Sequence, residues 1–317
     1  MTYHANGKLL LTGEYAVVDG AEAIALPLNK GQDLSVRFDP HRKPEILWSA
    51  SDPSGTWLEI TLPLPEESGQ IPLPANPLAE PLVNYLNSCR KLNPKFLPTT
   101  GTWNVETRLS FNRHYGWGSS STLISLLAQW SGVSPFEVML INHPDASGYD
   151  IAAATSKGPF LYKKEPGGPK ITPLKPNYPF SDHLMLVYLG VKKSSSEAMK
   201  TYRLQNTNRY WHIDRISELS RELAETSELL EFCSLLGEHE QIISQLIGTP
   251  PVKSSHFHDF KGVVKSLGAW GGDFILAASE MAAPEIIDYF AKKGLGTCFK
   301  WSDLVLMHKN QETESSL

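Results

Sequence analysis

Apolar residues recur along this chain with two different spacings, and their alternation predicts a mixed α+β fold. Residues 8–18 (KLLLTGEYAVV) and 21–28 are almost continuously apolar, with Asp19-Gly20 between them. Asp-Gly between apolar runs is a hairpin signal, so two paired strands are expected there. Residues 33–38, 45–49 and 57–62 read as further strands, in a region where prolines mark turns. From Asn76-Pro77 to about residue 92 the spacing changes to three and four. Asn76 reads as an N-cap and Pro77 as the first helical residue, with Leu78, Leu82, Leu86 and Cys89 on the buried face. Residues 103–111 alternate as a strand, and Leu123, Leu126, Leu127 and Trp130 share one helical face. Ser134-Pro135-Phe136-Glu137 is a capping box that opens a short helix ending near Asn142.

The second half reads as a strand over 183–190, then helices over 196–205, 213–233 and 238–247. A strand from Phe274, a helix over 284–293 and a strand over 303–308 close it. A Gly/Pro-rich turn at 166–179 is the natural boundary, giving expected domains at 1–170 and 171–309 with a polar tail at 310–317.

Composition narrows the class. The 317 residues are 41% hydrophobic and 20% charged, enough for one large domain or two intimate ones. The net charge of −5 argues against a nucleic-acid partner. Cys89, Cys233 and Cys298 are odd in number and far apart, which fits neither a disulfide framework nor a metal site. No apolar run approaches the roughly 18 residues of a membrane span, and MTYHANGK lacks a signal peptide's apolar core. A cytoplasmic protein with no membrane partner is therefore expected, and a homodimer is left open.

The candidate chemistry lies first in residues 112–130, NRHYGWGSSSTLISLLAQW. Gly116, Gly118, Ser119, Ser120 and Ser121 stand directly before a helical pattern. Glycines let the backbone curl around an oxyanion, and the first helical N–H groups and the helix dipole favour negative charge. An ordinary turn with a serine N-cap explains the same residues, and the stretch alone leaves both readings open. It is no P-loop, dinucleotide fingerprint or nucleophile elbow, because those spacings are missing.

Four more stretches bear on it. Lys8 and Glu14 lie in GKLLLTGEY, and Asp150 in SGYD is either a positioned acid or a helix cap. Gly268, Gly271, Gly272 and Asp273 form a compact glycine loop ahead of an apolar strand. Residues 190–197 place Lys192, Lys193 and Ser195 between a strand and a helix, a second candidate anion site unless the lysines are simply solvated. His256, His258 and Asp259 read as a solvated loop, and the charged stretch 215–228 as a solvated face with ion pairs.

Taken in order, GKLLLTGEYAVVDG, GWGSSS, SGYDIAAA and GAWGGDF resemble the motifs of the GHMP kinases, the family of galactokinase, homoserine kinase, mevalonate kinase and phosphomevalonate kinase. The resemblance covers about residues 7–278. It implies an N-terminal domain like ribosomal protein S5 and a ferredoxin-like C-terminal domain, with ATP and substrate meeting in the cleft between them. It places the phosphate loop on Gly116, Gly118, Ser119, Ser120 and Ser121, and the Mg²⁺-binding serine on Ser120. The catalytic aspartate falls on Asp150 and the substrate-side lysine on Lys8. Glu14, Lys192, Lys193, Ser195, Gly271, Gly272 and Asp273 fall on the acceptor side. The implied activity is ATP- and Mg²⁺-dependent phosphorylation of an anionic small molecule, mevalonate or phosphomevalonate. The basic residues Arg113, Lys192 and Lys193 tilt the choice toward the more highly charged phosphomevalonate.

This chain departs from the pattern at three places. Trp117 and Trp270 bring bulk into glycine loops, and Phe111-Asn112-Arg113 stands where the family has proline. A second Mg²⁺ ligand is unassigned, since Glu137 is accounted for by its capping box. A diphosphomevalonate decarboxylase of the same fold and a non-catalytic relative serving as a regulator are the alternatives.

Overall fold

The computed structural model describes residues 1–65, 69–190, 195–204, 210–268, 270 and 272–308. Eleven strands and ten helices are named in it: β1 (Thr2–Leu10), β2 (Ala23–Asp39), β3 (Glu45–Asp52), β4 (Gly55–Pro63), α1 (Glu80–Leu92), β5 (Thr102–Leu109), α2 (Ser119–Ser131), α3 (Pro135–Asn142), α4 (Tyr149–Thr155), β6 (Phe160–Lys163), β7 (Lys170–Pro173), β8 (Leu184–Tyr188), α5 (Ser195–Leu204), α6 (Tyr210–Glu225), α7 (Leu229–Ile247), α8 (Val252–His256), β9 (Val263–Leu267), β10 (Phe274–Ala278), α9 (Ala283–Lys292), β11 (Cys298–Lys300) and α10 (Trp301–Leu304). The fold is α+β, as the two spacings require.

The chain forms two compact units, and neither is a continuous segment. The first contains Met1–Gly7, Lys30–Arg113 and Trp117–Thr155; the second contains Lys8–Asn29, His114–Gly116 and Ser156–Leu317. In the first unit β3 pairs antiparallel with β4 and parallel with β5, and β5 pairs antiparallel with the second half of β2. The parallel pair needs a crossover, which α1 supplies between β4 and β5. One face of this sheet packs through Val36, Ile46, Trp48 and Val105 against α1 and α2, where Leu82, Leu86, Ile124 and Leu127 are buried. In the second unit β8, β9, β10 and β11 form an antiparallel sheet in the order β11-β8-β10-β9. Its core gathers Met185, Val187, Val264, Ile275, Ile286 and Phe290.

Local signals place several elements as expected. Asn76 accepts the Leu78 N–H, Ser134 accepts the Glu137 N–H, and α3 ends at Asn142. Four expectations fail, each for a packing reason. Asp19-Gly20 is not a hairpin turn: residues Ala16–Asp19 coil into a 3₁₀ turn that buries Ala16 and Val17, and Gly20 ends it with φ 93°. Leu78 is 58% exposed, because a 3₁₀ turn at Pro77–Ala79 shifts the phase ahead of α1. The single helix expected over 213–233 is broken into α6 and α7. At the break the Thr226 hydroxyl bonds the Glu231 carboxylate and accepts the Glu228 N–H at 3.3 Å. The strand expected over 303–308 is replaced by α10, whose Trp301 and Leu304 are three apart and both buried, followed by one bridge from Val305 to Leu28.

The charged stretch on α6 is a solvated ion-pair face: Arg215 bonds Glu238 at 2.7 Å, Glu222 at 2.9 Å and Glu218 at 3.1 Å. No described helix is long and apolar enough to cross a membrane.

Candidate active site

The glycine–serine stretch opens α2 in the first unit. Gly118 sits at φ 87° and caps the helix without a side chain, so the first turn is open to an external acceptor. Two of the neighbouring hydroxyls are turned inward. Ser121 Oγ donates to the Gly118 carbonyl at 2.9 Å. Thr122 Oγ1 lies 2.7 Å from Gln32 Oε1 and 3.0 Å from the Ser119 carbonyl, which share its one proton. Ser120 is exposed at the mouth of the helix.

Ser120 lines a cavity of about 500 Å³ in this unit together with Glu80, Tyr85, His143 and Asp150. Asp150 is the second residue of α4, and its Oδ1 accepts the Ile151 N–H at 3.0 Å. Asp150 thus bonds within the first turn of its own helix and also lines the cavity. Glu80 and Asp150 are the carboxylates of this cavity among the described residues. Tyr85 is buried, with its hydroxyl 3.0 Å from His143 Nε2. Burial pushes the Tyr85 hydroxyl pKa up, the Asp150 charge adds to that, and a hydrogen bond with Ser120 opposes it.

The sequence reading did not single out Glu80, Tyr85 or His143. Tyr85 falls on the buried face of α1 among Leu82, Leu86 and Cys89, where periodicity makes an aromatic look like core. His143 stands just ahead of SGYD, but nothing local marks its partner 58 positions earlier.

The second unit holds Lys8, Glu14, Gly116, Gly272 and Asp273. Lys8 is half-buried near the end of β1. Glu14 is 1% exposed. Its Oε1 accepts from Lys265 Nζ, which also donates to the Ser266 carbonyl at 2.9 Å. Glu240 accepts the Ser266 N–H at 3.1 Å and lies 3.9 Å from Lys265 Nζ. His239 Nε2 accepts the Gly13 N–H at 2.9 Å. Burial and the Lys265 charge push the His239 pKa well below its ordinary value, so the ring is neutral. Burial pushes Glu14 up against the pull of Lys265, and it pushes Glu240 up to about 7.

The glycine loop is fixed to the same stretch. Tyr15, strained at φ 62°, accepts the Trp270 N–H on its hydroxyl at 2.8 Å. Gly116 has φ 69°, and a Cβ there would lie 2.3 Å from Asp273 Oδ2, so only glycine fits against this carboxylate. Asp273 itself has φ 47°, and its carbonyl accepts the Leu189 N–H at 2.8 Å. Tyr115, Tyr188 and Phe274 pack together beside it, with Tyr115 and Tyr188 centroids 4.7 Å apart.

The two tryptophans turn inward. Trp117 is 1% exposed and packs on Phe111, with centroids 5.6 Å apart. Trp270 is buried in the second unit, and its Nε1 donates to the Pro250 carbonyl at 3.1 Å. Lys192, Lys193 and Gly271 lie outside the described residues, as does the side chain of Ser195 at the start of α5. His256 and His258 take part in no metal-binding group among the described residues.

No protein-family profile and no curated protein sequence matches the chain. Solved structures do. Mevalonate kinase of Methanococcus jannaschii superposes with a TM-score of 0.73 at 17% identity, over 98% of each chain. Phosphomevalonate kinase of Streptococcus pneumoniae, in complex with phosphomevalonate and AMPPNP, gives 0.70 at 16% identity, over 95% of this chain and 99% of that one. Galactokinase of Lactococcus lactis gives 0.63 at 10% identity, over 98% of this chain and 94% of that one. The chain has the fold shared by these kinases.

Proposed function

We propose that this protein is an ATP-dependent phosphotransferase acting on a small anionic acceptor of the mevalonate branch, phosphomevalonate in preference to mevalonate. The observation that carries the reading is the meeting of Ser120, at the open start of α2, with Asp150 at one cavity. Phosphoryl transfer depends on positioning and on neutralising charge more than on covalent chemistry. The first turn of α2 suits a phosphate group, since its donors are uncapped and its dipole is favourable. The oxygen donors of Ser120 and Glu80 suit Mg²⁺ and would hold it. When bound, Mg²⁺ neutralises charge on the transferred phosphoryl group. Asp150 accepts the proton of a hydroxyl acceptor. Lys8 keeps the role that the resemblance gives it, a clamp on the acceptor. Glu14, paired with Lys265, supports the Gly13–Tyr15 region of its unit.

A coupled assay of ADP release with mevalonate, phosphomevalonate, homoserine and galactose tests the reading. ADP release dependent on phosphomevalonate is expected; turnover of mevalonate alone would overturn the acceptor and keep the kinase. No ADP release with any of the four, together with CO₂ release from diphosphomevalonate, would move the protein to the decarboxylases.

Ser120→Ala should leave the unfolding temperature nearly unchanged, because the side chain is exposed. The same change should raise the Mg²⁺ concentration needed for half-maximal turnover by roughly tenfold or more. An unaltered Mg²⁺ titration would remove Ser120 from the site.

A further inference from the structure

A second cavity of the first unit lies at the C-terminal end of α1, and nothing in the scheme above uses it. It encloses about 820 Å³, the size of a small-molecule site. Arg90 and Lys91 of the last helical turn and Lys95 just beyond it bring three cations to its wall. Among the described residues, none that lines it is a carboxylate, although the whole chain carries a net charge of −5. The neutral polar groups of the wall are already engaged. Asn87 accepts the Ile71 N–H at 2.8 Å and donates to the Ile71 carbonyl at 3.0 Å. Asn142 Nδ2 donates to Ser88 Oγ at 2.9 Å and to the Val138 carbonyl at 2.8 Å. Arg90 differs from these: its Nη1 is buried and meets no hydrogen-bond acceptor among the described residues. Burial also pushes the guanidinium pKa below its ordinary value, with no carboxylate to oppose it. Cations in a last helical turn commonly answer the helix dipole, and exposed Lys91 can do so. The dipole does not account for a buried guanidinium nitrogen left without an acceptor, since such a donor lowers stability until it is paired.

We propose that this cavity binds a small organic phosphate, at a site separate from the start of α2, with Arg90 as its anchor. A guanidinium presents a planar fork that matches two phosphate oxygens, and a bound anion gives the buried Nη1 its acceptor. Lys91 and Lys95 are exposed and add point charges at the rim. A phosphate group alone fills only a small part of the space. Pro94, Pro98 and Ile141 line the cavity with apolar surface, so the ligand carries a carbon body beside its phosphate. The inference does not depend on the kinase reading. Asn84 and Asn142 line both this cavity and that of Ser120, so the two sites are neighbours in one unit and must be told apart by mutation.

The test is calorimetric titration of the full chain, in EDTA, with butyl phosphate and with inorganic phosphate, and thermal unfolding in parallel. The wild type should bind butyl phosphate roughly tenfold more tightly than inorganic phosphate, because the butyl chain buries apolar surface. Arg90→Gln should weaken butyl phosphate roughly tenfold or more, the usual scale for losing hydrogen bonds to a charged group. Arg42→Gln removes one exposed charge ahead of β3 and should stay within about twofold. Ser120→Ala should also stay within about twofold, which separates this site from the start of α2. No binding of either ligand by the wild type at about 10 mM would overturn the inference, as would unchanged affinity in Arg90→Gln. Equal weakening in Arg42→Gln would reduce the effect to diffuse charge and overturn it too. A loss in Ser120→Ala without one in Arg90→Gln would place the binding at α2 instead. Equal affinity for the two ligands would overturn the organic ligand and leave a site for the free anion. If Arg90→Gln does not fold, Lys95→Gln decides the matter, with a loss of about threefold or more expected.

Discussion

Asp150→Asn should lower kcat by roughly 10²-fold or more on an acceptor that offers a hydroxyl, with no loss of stability. The substitution is nearly isosteric, and asparagine keeps the oxygen that accepts the Ile151 N–H at the start of α4. What it removes is the carboxylate's capacity to take a proton beside Ser120. The acceptor decides the size of the effect. A hydroxyl must lose its proton as it attacks, so the base matters greatly. An acceptor phosphate is already ionised near neutral pH, and the same variant should then lose much less. Steady-state kinetics on the substrate chosen by the ADP-release assay, with unfolding measured on the same preparation, read the two cases apart. A variant with normal kcat on a hydroxyl acceptor would reduce Asp150 to a helix-start residue.

Lys265→Met should destabilise the second unit by about 3–5 kcal/mol, the usual cost of removing one partner from a buried ion pair. Lys265 and Glu14 are both essentially inaccessible, and Glu240 shares the same lysine. Methionine fills the space of the lysine stem but leaves two carboxylates in the core with no cation. Glu14 Oε2 already accepts no hydrogen bond among the described residues. The double variant Lys265→Met/Glu14→Gln should recover part of the loss, because only the Glu240 carboxylate then remains without its cation. Denaturant melts of both variants test this. A loss below about 1 kcal/mol for the single variant would mean that the pair contributes as little as an exposed one.

The same cluster gives the fold a pH dependence. Glu240 is held at about 7 in the folded chain, raised from an ordinary 4.5 by burial, with Glu14 raised in the same direction. A raised carboxyl favours folding below its unfolded pKa, and that contribution is lost as pH rises through the folded value. Stability should therefore fall between about pH 4.5 and 7, by about 3 kcal/mol from Glu240. Glu240→Gln should flatten this part of the profile. An unchanged slope in that variant would place the titration elsewhere.

The sequence by itself determined what is local. Alternation over residues 45–49 and 57–62 marked β3 and β4, and the caps at Asn76 and Ser134 marked the starts of their helical segments. The glycine–serine stretch identified the start of α2, because a helix end and its unpaired donors are a property of a few neighbouring residues. Tertiary structure decided the rest. Glu14 found its cation in Lys265, 251 positions away, and a buried carboxylate gives no sign in its own neighbourhood of which partner it will meet. Ala16 and Val17 coil because they are buried as a turn, although their apolar run reads as strand. The apolar pattern from Ile213 onward continues past the break between α6 and α7, so hydrophobic period could not show where Thr226 ends one helix. Tyr85 and Ser120 come to one cavity only because α1 and α2 pack on the same face of the sheet, and no spacing within either helix encodes that meeting.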